Sequence, residues 1–185
     1  DSDVAKWLEA AAYSLALKPD AALEKRVDDV VRLIAKCQQP DGYLKTYFTV
    51  KEPQNRWANL LECHELYCAG HMMEAGAALH ECVGKDALLA VCVRLADHIC
   101  ARFGEGGQEG VPGHQEIEIG LMRLYRATGD GKYRDMARRF LDVRGRDAGW
   151  FAAHTPAHPG AHYGGYDIDA EDAVYNQSDV PVREQ

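Results

Sequence analysis

The 185-residue sequence lacks most of the signals that would settle a chemistry at sight. None of its six cysteines falls in a C-x-x-C pair, which argues against a zinc ribbon. There is no G-x-S-x-G, so no serine nucleophile elbow, and no P-loop. No G-x-G-x-x-G follows a strand, so nothing marks a dinucleotide fold. No apolar run approaches the roughly 20 residues needed to cross a bilayer. Positive charge is short as well: 21 Lys and Arg stand against 29 Asp and Glu, a net charge of -8. That excludes a basic footprint for nucleic acid or anionic membrane and suits a neutral ligand. No signal peptide is visible, because Asp1, Asp3, Lys6, Glu9 and Lys18 are spread through the first 20 residues at helical spacing. The sequence opens at Asp1 without a Met and reads as a piece of something longer.

What remains is an ordinary globular composition, 46% hydrophobic and 27% charged, enough for one sizeable domain. Cys37, Cys63, Cys68, Cys82, Cys92 and Cys100 all sit in helix-like apolar contexts. They read as reduced core thiols of a cytosolic protein, which makes the expected location cytoplasmic.

Helical periodicity dominates. Helices are predicted from Asp3 to Leu17, from Pro19-Asp20 through Ile34, from Asn59 to Val83, from Asp86 to Phe103, from Glu116 to Thr128 and from Tyr133 to Val143. Gln39-Pro40-Asp41-Gly42 is a turn, and Gly84 and Gly129 stop the helices before them. Tyr43 to Val50 is the one β-like run, rich in aromatic and β-branched residues. Gly104 to Gly113 is a glycine-rich loop, and beyond Gly145 periodicity fades.

A weak repeat runs through these elements. Leu23/Val27/Val30, Leu88/Cys92/Leu95 and Tyr133/Ala137/Phe140 share the spacing i, i+4, i+7. The last two sets lie at equal distances from Gly84 and Gly129, and Arg94, Leu95 and Asp97 match Arg139, Phe140 and Asp142. The expected fold is therefore all-α, three consecutive helical hairpins with one short β-like segment. Such hairpins must stack on neighbours, as a solenoid or a toroid, with inner helices alternating with outer ones. The helix after His64 and the helix after His114 then occupy equivalent inner places.

The stretch Glu62–Glu81 puts His64, Cys68 and His71 at i, i+4, i+7. His64-Glu65-x-x-Cys68 resembles the zincin H-E-x-x-H only superficially, since the second histidine is missing. Three ligands on one helix would reach a single ion only under strain. Satisfied core histidines and a ligand-facing polar face remain as readings. In Pro112-Gly113-His114-Gln115-Glu116-Ile117-Glu118, loop glycines deliver His114 to a helix start, where it is placed to touch a ligand. Glu116 and Glu118 suit the positive end of that helix and need no more than capping. Tyr43, Tyr47, Phe48 and Trp57 either fill the core or offer stacking faces. Asp167, Asp169, Glu171 and Asp172 read as a solvated acidic loop beside Tyr166, and Asn176-Gln177-Ser178 as a sequon without consequence.

The succession DGYLKTYF (41–48), RWANLLECHELYCAGHMMEA (56–75), PGHQEIEIGLMRLYRATGD (112–130) and VPVREQ (180–185) resembles glycoside hydrolase family 127, the β-L-arabinofuranosidase family. DVAKWLEAAAYSLA (3–16) and RLIAKCQQPDGYL (32–44) are similar to it too. Lys45 departs from the pattern, standing where a small amide is expected, and Asp179 stands where relatives often place His.

The resemblance implies an (α/α)6 toroid, of which residues 1–185 would be the first half, with the C-terminal half and any β-sandwich domains absent. It implies that His64 and His114 contact an arabinofuranose, a neutral carbohydrate partner. It implies, for a full-length member, a zinc-held cysteine thiolate as nucleophile of a retaining glycosidase, with a glutamate acid/base. Those catalytic residues have no match here, so no catalytic residue, metal ligand or cofactor is assigned to this chain, and it is expected to be inactive alone. Uncovered helix faces would call for a second copy or another partner. The competing reading is a non-catalytic helical module, sugar-binding or purely structural.

Overall fold

The computed structural model describes residues 1–147 and 149–154. The chain forms helices α1 (Ser2–Leu17), α2 (Ala21–Cys37), α3 (Thr46–Val50), α4 (Glu65–Val83), α5 (Ala87–Phe103), α6 (Ile117–Thr128), α7 (Gly131–Val143) and α8 (Trp150–His154). A 3-10 turn spans Pro53–Asn55. Among the described residues there is no strand.

The hairpins are built as their punctuation predicts. The Asp20 carboxylate caps α2 by accepting from the Ala22 and Leu23 amides at 2.9 and 3.0 Å. Asp130 caps α7 through the Lys132 amide at 3.1 Å. Gly84 ends α4 in the left-handed region at φ 67°, where the Gly84 and Lys85 amides donate to His80 and Leu79 carbonyls. Gly129 ends α6 in the same region, at φ 74°.

The inner row runs α1, α4, α6, with α4 packed between the other two. Helices α2, α5 and α7 return on the outer side, α2 and α7 both touching α5. Helix α4 is almost wholly apolar and small on its buried faces, with Ala69, Gly70, Met73, Ala75, Gly76, Ala77 and Ala78 inside. This composition lets three neighbours approach it at once. A Cβ on Gly120 of α6 would stand 2.5 Å from the Gly70 carbonyl oxygen and 2.7 Å from the Gly70 Cα. So α4 and α6 meet backbone to backbone, with no side chain between them. On the opposite face, a Cβ on Gly76 would meet Cys92 Sγ at 2.6 Å.

Three expectations are corrected. Tyr43–Val50 is not a β-like segment: its second part is α3, whose Thr46 amide and hydroxyl are held by Asp1 carboxylate oxygens at 3.1 and 2.6 Å, while Phe48 is buried. The third long helix begins at Glu65 rather than Asn59. Asn59 instead closes a tight loop, its side chain accepting from the Glu62 amide at 2.9 Å and donating to the Glu62 carboxylate at 2.7 Å. Not every cysteine is in the core: all six are free thiols, but Cys37 is exposed and only Cys68 and Cys92 are fully buried.

Helix α8 lies beyond the periodicity the sequence offered; its Phe151 packs on Leu61 and Val111 in a small second cluster. The acidic loop 166–172, the sequon and Asp179 lie outside the described residues. Among the described residues no helix is long and apolar enough to cross a membrane.

Candidate functional site

The site grows from the starts of two inner helices. His64 precedes α4 and holds the left-handed conformation, φ 56° and ψ 28°, which few non-glycine residues adopt. Two buried anchors flank that strained turn. Glu65, 2% exposed, accepts from the Tyr43 hydroxyl and from the Trp57 amide, the latter at 2.9 Å. Among the described residues Trp57 is the other non-glycine residue with positive φ, at 62°. Its indole N–H donates to His98 Nε2 at 3.1 Å, and His98 Nδ1 lies 2.9 Å from the Asp41 carbonyl. That pairing puts the His98 proton on Nδ1 and ties the Gln39–Gly42 turn to α5.

His114 comes from the loop before α6. Gly113 lies under it so close to the Leu60–Leu61 backbone that a Cβ would meet the Leu61 carbonyl oxygen at 2.5 Å. This contact seats the loop directly beside the entrance to α4. Arg144, fully buried at the end of α7, donates to the Pro112 carbonyl and fixes the loop from beneath.

The two histidines that the sequence singled out are thereby brought together. Their ring centroids are 4.6 Å apart at a 45° tilt. Tyr67 packs against both, 5.7 Å from His64 and 5.2 Å from His114, and against His71 at 4.5 Å. Lys6 of α1 donates to the Tyr67 hydroxyl at 2.8 Å. His71 does not join His64 and Cys68. It turns to Glu74 and Glu116, with Nδ1 at 3.2 and 3.1 Å from their carboxylate oxygens. Cys68 takes a donation from Lys45 Nζ at 3.0 Å, and Lys45 also approaches Asp1 at 3.9 Å. Lys45 thus links Cys68 of α4 to the start of α1 beside the site.

Electrostatically the two histidines are held neutral. Burial is the main cause for both. His114 is lowered further by His64 and by Arg144, and Lys45 also works against a charged His64. A neutral imidazole offers one donor and one acceptor. The carboxylates move the other way. Burial pushes Glu65 up to about 7, and burial raises Glu118 despite Arg144 nearby. Glu116 is raised by burial and by the adjacent Glu74. Burial also pushes the Cys63 thiol up to about 12 and the Cys100 thiol to about 11, so neither is a nucleophile near neutral pH.

At the start of α6 the N-cap residue Glu116 makes no side-chain capping bond, Glu118 stands in the first turn, and both carboxylates are buried. Of the four aromatic residues between positions 43 and 57 that could have offered stacking faces, Tyr43, Phe48 and Trp57 are core and Tyr47 is exposed.

A family model described as the β-L-arabinofuranosidase, GH127 catalytic domain, matches residues 1–185. The chain belongs to glycoside hydrolase family 127. A non-reducing end β-L-arabinofuranosidase of Bifidobacterium longum subsp. longum is 40% identical over 191 aligned positions, covering 100% of this chain and 29% of that protein. The crystal structure of a GH127 β-L-arabinofuranosidase from Geobacillus stearothermophilus T6 superposes with a TM-score of 0.87 at 46% identity, over 100% of this chain and 29% of the other. A further GH127 β-arabinofuranosidase structure gives 0.73 at 43% identity, over 78% of this chain and 24% of its own. The chain thus corresponds to the N-terminal part of GH127 proteins and spans about three-tenths of their length. Its inner and outer helices are part of an α/α toroid.

The zinc centre that the resemblance implies, built from several Cys and Glu ligands, does not fit the described residues. Their one group of three converging donors is His71, Glu74 and Glu116, which contains no cysteine.

Sequence reasoning placed His64 and His114 but missed the residues that position them: Glu65, Tyr67, Trp57 and Arg144. Glu65 was in view only as part of a zincin look-alike. Its burial predicts a pH effect. The folded-state value lies above the ordinary 4.5, so the native chain holds a proton that the unfolded chain has released between about 4.5 and 7. That contribution is present at low pH and is lost as pH rises. Glu65→Gln mimics the protonated acid and removes the loss. Variant stability minus parent stability should therefore grow by about 3 kcal/mol from pH 4.5 to 8 in urea unfolding. A difference that is constant with pH would refute it.

Proposed function

We propose that this chain is the first half of the catalytic toroid of a β-L-arabinofuranosidase-type glycoside hydrolase, and that His64 and His114 hydrogen-bond the hydroxyls of a bound arabinofuranose. The observation that carries the reading is the His64–His114 pair itself: two half-buried neutral rings at 4.6 Å, each at the entrance to an inner helix. Neutral imidazoles match a neutral polyol, donating to one oxygen and accepting from another hydroxyl. Tyr67 supplies an aromatic wall between them, and the net charge of -8 is compatible with an uncharged ligand. The family assignment and the arabinofuranosidase names of the relatives support the sugar class.

In this reading the chain binds and orients the sugar ring, and the groups that break the glycosidic bond come from elsewhere in the toroid. The 185-residue chain should not hydrolyse an aryl β-L-arabinofuranoside, and turnover would overturn that division of labour. Calorimetric titration with L-arabinose tests the pocket. Weak binding is expected, with a tenfold or greater loss, about 1.4 kcal/mol, in His64→Ala and in His114→Ala. Absence of heat from the parent chain, or full affinity in both variants, favours a structural helical module instead.

A further inference from the structure

His71, Glu74 and Glu116 form a second convergence of donors, behind Tyr67 and outside the histidine pair. We propose that these three residues hold a divalent first-row cation at the junction of α4 and α6. The proposal is independent of the sugar reading.

The geometry comes first. His71 Nδ1 lies 3.2 Å from Glu74 Oε2 and 3.1 Å from Glu116 Oε1, and the three donor atoms lie within 4.8 Å of one another. An ion at about 2.0–2.2 Å from nitrogen and oxygen ligands needs neighbouring donors roughly 3.0–3.5 Å apart. Each carboxylate oxygen already stands at that spacing from the His71 nitrogen. His71 and Glu74 are one turn apart on a rigid helix, so their relative placement needs no rearrangement.

A second observation points the same way. Glu116 is 8% exposed, and its Oε1, the atom turned toward His71, is buried with no hydrogen-bond donor. A buried carboxylate oxygen so placed is an acceptor short of a partner. Glu74 brings a like charge to the same spot. A cation between the two carboxylates relieves that repulsion and gives Oε1 a partner. The nearby ammonium is Lys6, whose Nζ is engaged with the Tyr67 hydroxyl at 2.8 Å.

The donor set names the class. One imidazole with two carboxylates is too nitrogen-bearing for a dedicated calcium site and lacks thiolate for a soft-metal one. It suits Mn2+ or Zn2+, with water completing the shell. The consequence is positional: Glu116 lies two residues after His114, so an ion there would pin the His114 loop to α4.

Mn2+ is the probe, because it favours oxygen and nitrogen and leaves the six thiols alone. Titration of the full 185-residue chain, followed by the electron paramagnetic resonance of free aqueous Mn2+, should give one ion per chain. Both His71→Ala and the near-isosteric Glu116→Gln should raise the dissociation constant tenfold or more, with helical circular dichroism retained. His80→Ala, which alters the exposed His80–Asp86 pair, should leave it unchanged. No stoichiometric binding in the parent, parental affinity in either site variant, or equal weakening in His80→Ala would overturn the proposal.

Discussion

Gly120→Ala should lower the stability of the chain by about 3 kcal/mol, and Gly120→Val should leave it unfolded. The added Cβ would lie 2.5 Å from the Gly70 carbonyl oxygen and 2.7 Å from its Cα, both backbone atoms on a buried helix. Neither can swing aside as a side-chain tip would, so α4 and α6 must part. Parting them removes contacts along the whole inner row and pulls the His114 loop away from His64. Gly84→Ala is the reference. Position 84, unlike 120, has positive φ, 67°, and open space around it, so only conformational strain of about 1 kcal/mol is expected. Urea unfolding of the two variants separates backbone crowding from backbone strain. A Gly120→Ala cost no greater than that of Gly84→Ala would refute the close approach.

Arg144→Met should cost about 3–5 kcal/mol, the range for removing one partner of a buried charged group. The guanidinium is fully buried, donates to the Pro112 carbonyl and offsets the charge of buried Glu118. Met fills much of the volume but leaves Pro112 unpaired and Glu118 without compensation. Glu118→Gln in the Arg144→Met background should recover part of the loss, a non-additivity that a double-mutant cycle measures. The same change should reach the site without touching it. Arg144 is one of the charges that hold His114 neutral, so its removal should raise the His114 titration midpoint in proton NMR. An unchanged midpoint would disconnect Arg144 from His114.

Much of this architecture was legible from the residues, for a definite reason. Helix-length apolar periodicity and Gly84 and Gly129 are local signals, and local signals decided where the hairpins turn. The inner positions of α4 and α6 followed from the repeat alone. The failures share the opposite cause. Thr46–Val50 has the composition of a strand, yet it is a helical turn because Asp1, distant in sequence, caps it and the core takes Phe48. Residues 59–64 carry helical periodicity, yet the left-handed turns at Trp57 and His64 and the Asn59–Glu62 bonds hold them as a loop. At the site, His64 and His114 stood out because histidines beside glycines and helix starts are conspicuous. Glu65, Glu118 and Arg144 did not, since charged residues on a helical chain look solvated until their neighbours are known. His71 was grouped with His64 and Cys68 by helical spacing, whereas a residue from another element, Glu116, decided where it points.

The left-handed turn at His64 has a consequence for how this position can be varied. Only a short catalogue of side chains tolerates φ near 56°. Asn, Asp and Gly adopt it readily, whereas Val, Ile and Thr are strongly disfavoured. A randomised library at position 64 would therefore return mostly small polar replacements among its folded members, whatever ligand it was selected on. At position 114 the backbone sets no such filter, so the two halves of one histidine pair should diverge at very different rates.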